Sequence, residues 1–425
     1  MYDTAQKTSA PPALHERSVY RLSALVFLLF FVFGGVTSLN DVLIPKLKSL
    51  FDLTYAEAML VQSAFFFAYF IVSIPAGLLI SRLGYMQTAV IGLFTMAAGC
   101  LLFIPAAQAE LFAAFLGALF VLAGGVTIVQ VVANPLLLLL GPAKTAHSRV
   151  TFGHAFNSLG TTVAPYLGAI AILGALTDAD PASALTPASD ASLAQGAQVI
   201  STAYVCIAVA LFLIAALVWQ HRAKLPADTR PEPANPLSAL GLLKLPRFSM
   251  GAACLFFYVG AEVALGSILV NFLMQDSTLG LSAATAGKHV AYYWGGAMVG
   301  RFIGAGVLKV FSPGRVLACA AVAVITLIAV AMLAHNAWAG WAILAVGLFN
   351  SIMFPTIFSL AAQGLGRRAA QGSGLLCCAI VGGAIVPPVM GLAADLSSLA
   401  TALIVPALCY AAIGLYGWFM RRPEH

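Results

Sequence analysis

Charge is what this sequence lacks most. Only 8% of its 425 residues are Asp, Glu, Lys or Arg, against roughly 25% in soluble domains. Hydrophobic residues make up 61% and the mean hydropathy is +0.97. No soluble core could hide that much apolar surface, so a soluble enzyme or nucleic-acid-binding domain is excluded. The seven cysteines (Cys100, Cys206, Cys254, Cys319, Cys377, Cys378 and Cys409) lie inside apolar segments without metal-ligand spacing. They read as small packing residues rather than as a disulfide framework or metal centre. No nucleophile and base stand at catalytic spacing. An enzyme is therefore not expected, and neither is a cofactor or a metal.

What is present is a succession of apolar runs near the ~20 residues that cross a bilayer, about twelve in all. They cover 22–45, 56–80, 87–106, 110–139, 147–172 and 199–219, then 247–274, 285–309, 314–334, 338–362, 372–394 and 399–420. The stretch from Leu22 is too long for a signal peptide and is expected to stay as the first span. If the N-terminus is cytoplasmic, every basic residue except Lys46, Lys48, Lys288 and the embedded Arg301 falls inside, while Asp178, Asp180 and Asp190 fall outside. The net charge of +6 is then the positive-inside bias of a membrane protein with both termini cytoplasmic, not a nucleic-acid footprint.

The chain also repeats itself. Gly34, Gly77, Pro135, Gly160, Pro165 and Gly168 find Gly260, Gly304, Pro355, Gly383, Pro388 and Gly391 at an offset of about 225 residues. A proline inside a helix costs ~3 kcal/mol, so matched prolines are poor candidates for coincidence. The expected organisation is an N-terminal six-helix half (1–220), a charged, proline-bearing cytoplasmic linker (221–246) and a C-terminal six-helix half (247–425). Parallel halves of this kind hold a substrate near the midplane between them and expose it by rocking.

Each polar group at membrane depth needs a reason, since a charge there costs at least ~2.5 kcal/mol. Asp41 and Glu262 are the candidate cation-coupling carboxylates, and Arg301 reads as a structural partner for an acid, with Glu262 one candidate. Asn40 precedes Asp41, Gln62 lies in the second span, Gln130 and Asn134 share a face of the fourth, and His154 and Asn157 share a face of the fifth. Amides offer a sugar hydroxyl both a donor and an acceptor. The C-terminal half offers Tyr258, Tyr293 and Asn350, with Tyr292, Trp294 and Phe354 as further aromatic faces for the C–H surface of a pyranose. Against each stands a plainer role, an amide knitting two helices or an aromatic marking the interface.

The stretches SLNDVLIPKL (38–47), QSAFFFAYFIVSIPAG (62–77), VQVVANPLLLLLGP (129–142), FNSLGTTVAPYLG (156–168), YVGAEVALGSILVNFL (258–273), YYWGGAMVGRFIG (292–304), FPTIFSLA (354–361) and GSGLLCCAIVGGAIVPPVMG (372–391) carry a family resemblance. Together they resemble the fucose–galactose–hexuronate group of major facilitator sugar symporters, in its glucose/galactose branch. The resemblance implies an all-α membrane protein of twelve transmembrane helices in two parallel six-helix repeats. It implies Asp41 as the proton-linked carboxylate and Asn157 as a sugar ligand. Gln130 stands where fucose-type members carry a glutamate, His154 where a glutamine is usual, and Phe33 where fucose-type members have a tryptophan. The expected partners are a hexose, a co-transported proton in preference to sodium, and the lipid bilayer, with the protein a monomer. N-acetylglucosamine, mannose or fucose as substrate, sodium coupling, and a non-transporting sugar sensor are the alternatives.

Overall fold

The computed structural model describes the backbone of residues 16–50, 55–108, 111–174, 190–222, 239–334 and 336–421. Side chains are described across these stretches except at 16–19, 39–50, 55–63, 107, 165–174, 190–201, 203 and 283–284. Helix is the regular structure throughout, and no strand occurs among the described residues. This is what a bilayer demands, because a lipid-facing backbone must satisfy its own N–H and C=O groups.

Six long helices come first: α1 (Glu16–Leu50), α2 (Tyr55–Leu83), α3 (Tyr85–Gln108), α4 (Phe112–Leu139), α5 (Ala146–Gly174) and α6 (Asp190–Gln220). Then follow α7 (Pro246–Met274), α8 (Ala283–Val307) and α9 (Pro313–Leu333). Each of the last three spans is built in two pieces. These are α10 (Ala337–Asn350) with α11 (Met353–Ala362), α12 (Ala369–Cys378) with α13 (Gly382–Leu396), and α14 (Leu399–Ala402) with α15 (Ile404–Phe419).

Local chemistry sets the boundaries. Gly84 closes α2 at φ +86 and donates its N–H to Ile80 O at 2.7 Å, a left-handed exit that suits glycine. Pro246 and Pro313 open α7 and α9, where a missing N–H costs nothing. Asn336 caps α10 by accepting from Trp338 N at 3.0 Å. α1 runs on to Leu50 instead of ending near Pro45, so Asp41 belongs to a helix and not to a loop beyond one. The tail of the expected linker is folded too: Ala239 and Leu242 are buried in the core beside α7.

Among the described residues nine stretches are long and apolar enough to cross a membrane. Neither α8 nor the described part of α5 is one of them. Their sequences explain why, since α5 carries His147, Arg149, His154 and Asn157 and α8 carries Lys288, His289 and Arg301. These two helices pack on each other, which turns His154 and Arg301 inward.

Glycines set the closest approaches. A side chain at Gly34 would strike the Asn157 carbonyl, and one at Gly160 would strike the Phe31 carbonyl, so α1 and α5 meet backbone to backbone. In the second set Gly260 lies against Val386, and Gly382 against the Phe256 carbonyl. The glycine that answers Gly160 is thus Gly382, one residue before the Gly383 that sequence alignment selected. Gly383 instead faces the Phe66 ring of α2.

Candidate functional site

Helices α1–α6 meet α7–α15 along a seam, with α2, α4 and α5 on one side and α8, α11, α12 and α13 on the other. Prolines decide where several of its hydrogen bonds go. Pro135 has no N–H for the carbonyl of Val131 one turn earlier, and Ser373 Oγ of α12 donates to that oxygen at 2.8 Å. Pro355 likewise frees the carbonyl of Ser351, and Arg301 Nε takes it at 3.1 Å. The same guanidinium crosses the seam: Nη1 donates to His154 O at 3.4 Å and to Ser158 Oγ.

Arg301 therefore spends its N–H groups on carbonyls and a hydroxyl rather than on an acid. Glu262, which the sequence offered as an ion-pair partner, lies within its electrostatic reach but is held by Tyr258, whose hydroxyl donates to Glu262 Oε1 at 2.8 Å. Satisfying an embedded arginine with freed carbonyls avoids burying a second charge.

On the α1–α6 side two side-chain pairs, Tyr69–Gln130 and Asn134–His154, sit one turn apart on α4. Tyr69 OH of α2 donates to Gln130 Oε1 at 2.7 Å. Asn134 Nδ2 donates to Gln130 O at 3.1 Å, and Asn134 Oδ1 lies 3.0 Å from His154 Nε2. With the Asn134 amine already donating, its oxygen accepts, so His154 carries a proton on Nε2. The imidazole sits between Phe30 at 4.9 Å and Phe354 at 5.0 Å, the second ring reaching in from α11 across the seam. One turn further along α5, Asn157 Nδ2 donates to Phe30 O at 3.3 Å. Aromatic rings and amides thus lie side by side at this part of the seam. Among the described residues, Gln130 Nε2 keeps both donors unengaged.

On the other side Asn350 is gripped twice. Its Nδ2 donates to Tyr293 OH at 3.0 Å, and Tyr410 OH donates to its Oδ1 at 3.0 Å. All three are buried. The Tyr258 ring stands 6.2 Å from Phe354, which connects this cluster to the His154 side.

The residues expected from sequence thus divide in three. Gln130, Asn134, His154 and Asn157 come together on one side of the seam, and Tyr258, Glu262, Tyr293 and Asn350 on the other. The side chains of Asn40, Asp41 and Gln62 lie outside the described residues. Sequence reasoning missed Tyr69, Ser158 and Tyr410. Tyr69 could have been found as the one hydroxyl-bearing ring in the FFFAYF run. Nothing local marks Tyr410, whose partner is 60 residues away.

Toward the end that carries the α4–α5 and α8–α9 turns the seam is shut. His147 Nδ1 lies 2.6 Å from Ser359 Oγ, and Ser148 Oγ donates to Ala305 O at 2.6 Å. Gly77 meets Gly374 so closely that an added Cβ would fall 3.4 Å from its Cα. Basic residues crowd this same end: Arg82, Lys144, Arg149, Lys309, Arg315, Arg367 and Arg368.

A helical bundle of this kind, with polar groups buried along a seam and one end closed, is a multi-pass membrane protein of the carrier type. The Major Facilitator Superfamily model matches residues 26–379, and the chain belongs to that family. It is 49% identical over 391 residues to a glucose/galactose transporter of Brucella abortus biovar 1 (strain 9-941), covering 92% of each chain. It is 35% identical over 414 residues to the L-fucose-proton symporter of Escherichia coli (strain K12), covering 93% of this chain and 92% of the relative. The crystal structure of the major facilitator transporter FucP in the outward conformation superposes at a TM-score of 0.85 with 32% identity, covering 96% of this chain and 100% of the other.

Proposed function

We propose that the chain is a secondary active transporter that imports a hexose, glucose or galactose, together with a proton by alternating access. The observation that carries this reading is the set of buried polar pairs on the two sides of the seam, Tyr69–Gln130 and Asn134–His154 on one and Tyr258–Glu262 on the other. Amide donors beside aromatic rings suit a pyranose, which presents hydroxyls at its rim and C–H groups on its faces. The names of the relatives, a glucose/galactose transporter and an L-fucose-proton symporter, support both the substrate class and the coupled ion. Transport and not enzymatic turnover is the activity of these relatives.

In this reading residues 1–220 and 247–425 are the two rocking halves, 221–246 joins them, and the protein acts as a monomer in the bacterial inner membrane. The basic end is cytoplasmic, which places both termini inside. With that end shut, the cavity faces outward. Asp41 takes a proton from outside, and the sugar docks against Gln130, Asn134, Asn157 and His154, with Asn40 and Gln62 contributing from α1 and α2. Rocking then parts the cytoplasmic seam and both cargoes leave. On the opposite wall Tyr258 holds Glu262 as the second candidate coupling carboxylate, and Tyr293 and Asn350 fix the shape of the sugar site. Asp41→Asn is expected to abolish uphill sugar accumulation in proteoliposomes while sparing sugar exchange. Normal accumulation by that variant would remove Asp41 from the coupling step.

A further inference from the structure

A second concave site lies away from the seam, on the flank of the bundle. α8 and α9 are joined by the short turn Leu308–Ser312, yet both pack chiefly on neighbours other than each other, with α10 behind them. The wedge left between the three helices is a cleft of about 490 Å³. Its walls are apolar, formed by Ile303, Val307, Phe311, Val316 and Phe349, and Ile303 and Phe311 are 57% and 60% exposed toward the surrounding lipid. Gly300 and Gly304 form its floor, where α8 comes close to Leu348 and Ile352.

One charged residue lines this cleft, Arg315 in the first turn of α9. Lys309 stands in the adjoining turn, and no Asp or Glu occurs between Gly300 and Ala320. Between Phe311 and Pro313 the Ser312 hydroxyl is buried without a hydrogen-bond partner. An apolar slot that opens to lipid, with Arg315 in its lining and Lys309 in the adjoining turn, has the chemistry of an acyl chain topped by a phosphate.

We propose that this cleft is a binding site for one anionic phospholipid. An acyl chain lies between α8, α9 and α10, and the phosphate is held by Arg315 and Lys309 in the leaflet of the basic end. The anionic class follows from charge: a headgroup with its own ammonium would meet two fixed cations and no acid. The site also reaches the seam through α8. Gly300 and Gly304 flank Arg301, and Ile352, another lining residue, follows Ser351, whose carbonyl Arg301 holds. A bound lipid would thus brace the back of the turn from which Arg301 reaches His154 and Ser158.

The test reads binding directly and does not depend on the transport reading. The full-length protein in detergent is titrated with phosphatidylglycerol or phosphatidylcholine, and retained lipid is counted by native mass spectrometry. Wild type is expected to retain one phosphatidylglycerol with at least about tenfold preference. Arg315→Gln with Lys309→Gln, both exposed and hence neutral to folding, is expected to erase that preference. Cys319→Trp fills the slot while leaving the charges, and is expected to lose the lipid. Equal retention of the two lipids by wild type, preference surviving the double substitution, or undiminished phosphatidylglycerol on Cys319→Trp would each overturn the proposal.

Discussion

In the proposed sugar site Gln130 is held by a neighbour before any ligand arrives. Its carbonyl oxygen is occupied by Tyr69 OH at 2.7 Å, which fixes the amide and leaves its two N–H donors without a partner among the described residues. Tyr69→Phe removes one neutral hydrogen bond at almost constant volume. It is expected to weaken sugar binding by about 2–10-fold, the equivalent of about 0.5–1.5 kcal/mol, without changing the melting temperature by more than a few degrees. Equilibrium binding with labelled glucose and a thermal-shift assay would measure both, and unchanged affinity would show that the amide orients itself. Gln130, Asn134, His154 and Asn157 were legible in the sequence because amides at helical spacing are conspicuous in an apolar chain. Tyr69 and Tyr410 were not, since tyrosine is ordinary in such helices and only the fold reveals which hydroxyl finds a distant amide. Arg301 was legible as a costly residue but not in its partners, because carbonyls freed by Pro355 leave no mark on the residues that use them.

Proline and glycine govern the elements. Pro135 and Pro355 hold matching places in α4 and α11, and each releases a carbonyl that a side chain from another helix recovers: Val131 by Ser373, and Ser351 by Arg301. Ser373→Ala should leave the Val131 carbonyl unpaired, which costs about 1–3 kcal/mol in the conformation whose basic end is closed. The expected outcome is greater labelling at that end, read by a membrane-impermeant thiol reagent at a cysteine placed at Ser359. With Pro135→Ala the helix supplies its own N–H, so Ser373→Ala should then have a smaller effect. Full additivity in that cycle would contradict the freed-carbonyl explanation.

Gly300 makes a sharper stability test. A Cβ there would meet the Leu348 carbonyl and Ser351 Oγ, whereas one at Gly306 meets nothing within 4 Å. Gly300→Ala should destabilise by about 1–3 kcal/mol and Gly306→Ala should not, as thermal unfolding in detergent would show. The paired helix breaks were only half legible. Sequence marked the proline positions but read the last three spans as continuous, because hydropathy is blind to whether a backbone hydrogen bond is made within a helix or outside it.

At the scale of the whole molecule, a seam shut at its basic end by His147–Ser359, Ser148–Ala305 and the Arg301 contacts must open for cargo to leave. The neutral bonds that close it are worth about 1 kcal/mol each net and the two from Arg301 about 1.5–3, so a cargo that prefers one state by a few kcal/mol can move the equilibrium. The twelve-span plan was plain in the sequence, since runs of about 20 apolar residues admit few other structures. α5 and α8 were recognised as spans although they carry several charged and amide side chains, and their mutual packing shelters His154 and Arg301. The central claim is coupling of hexose movement to a proton. The most direct measurement is glucose and galactose uptake into proteoliposomes with an inward pH gradient imposed in the absence of sodium, beside a sodium gradient at constant pH. The account predicts accumulation above the external concentration under the pH gradient alone. Accumulation that requires the sodium gradient, or mere equilibration under both, would contradict it.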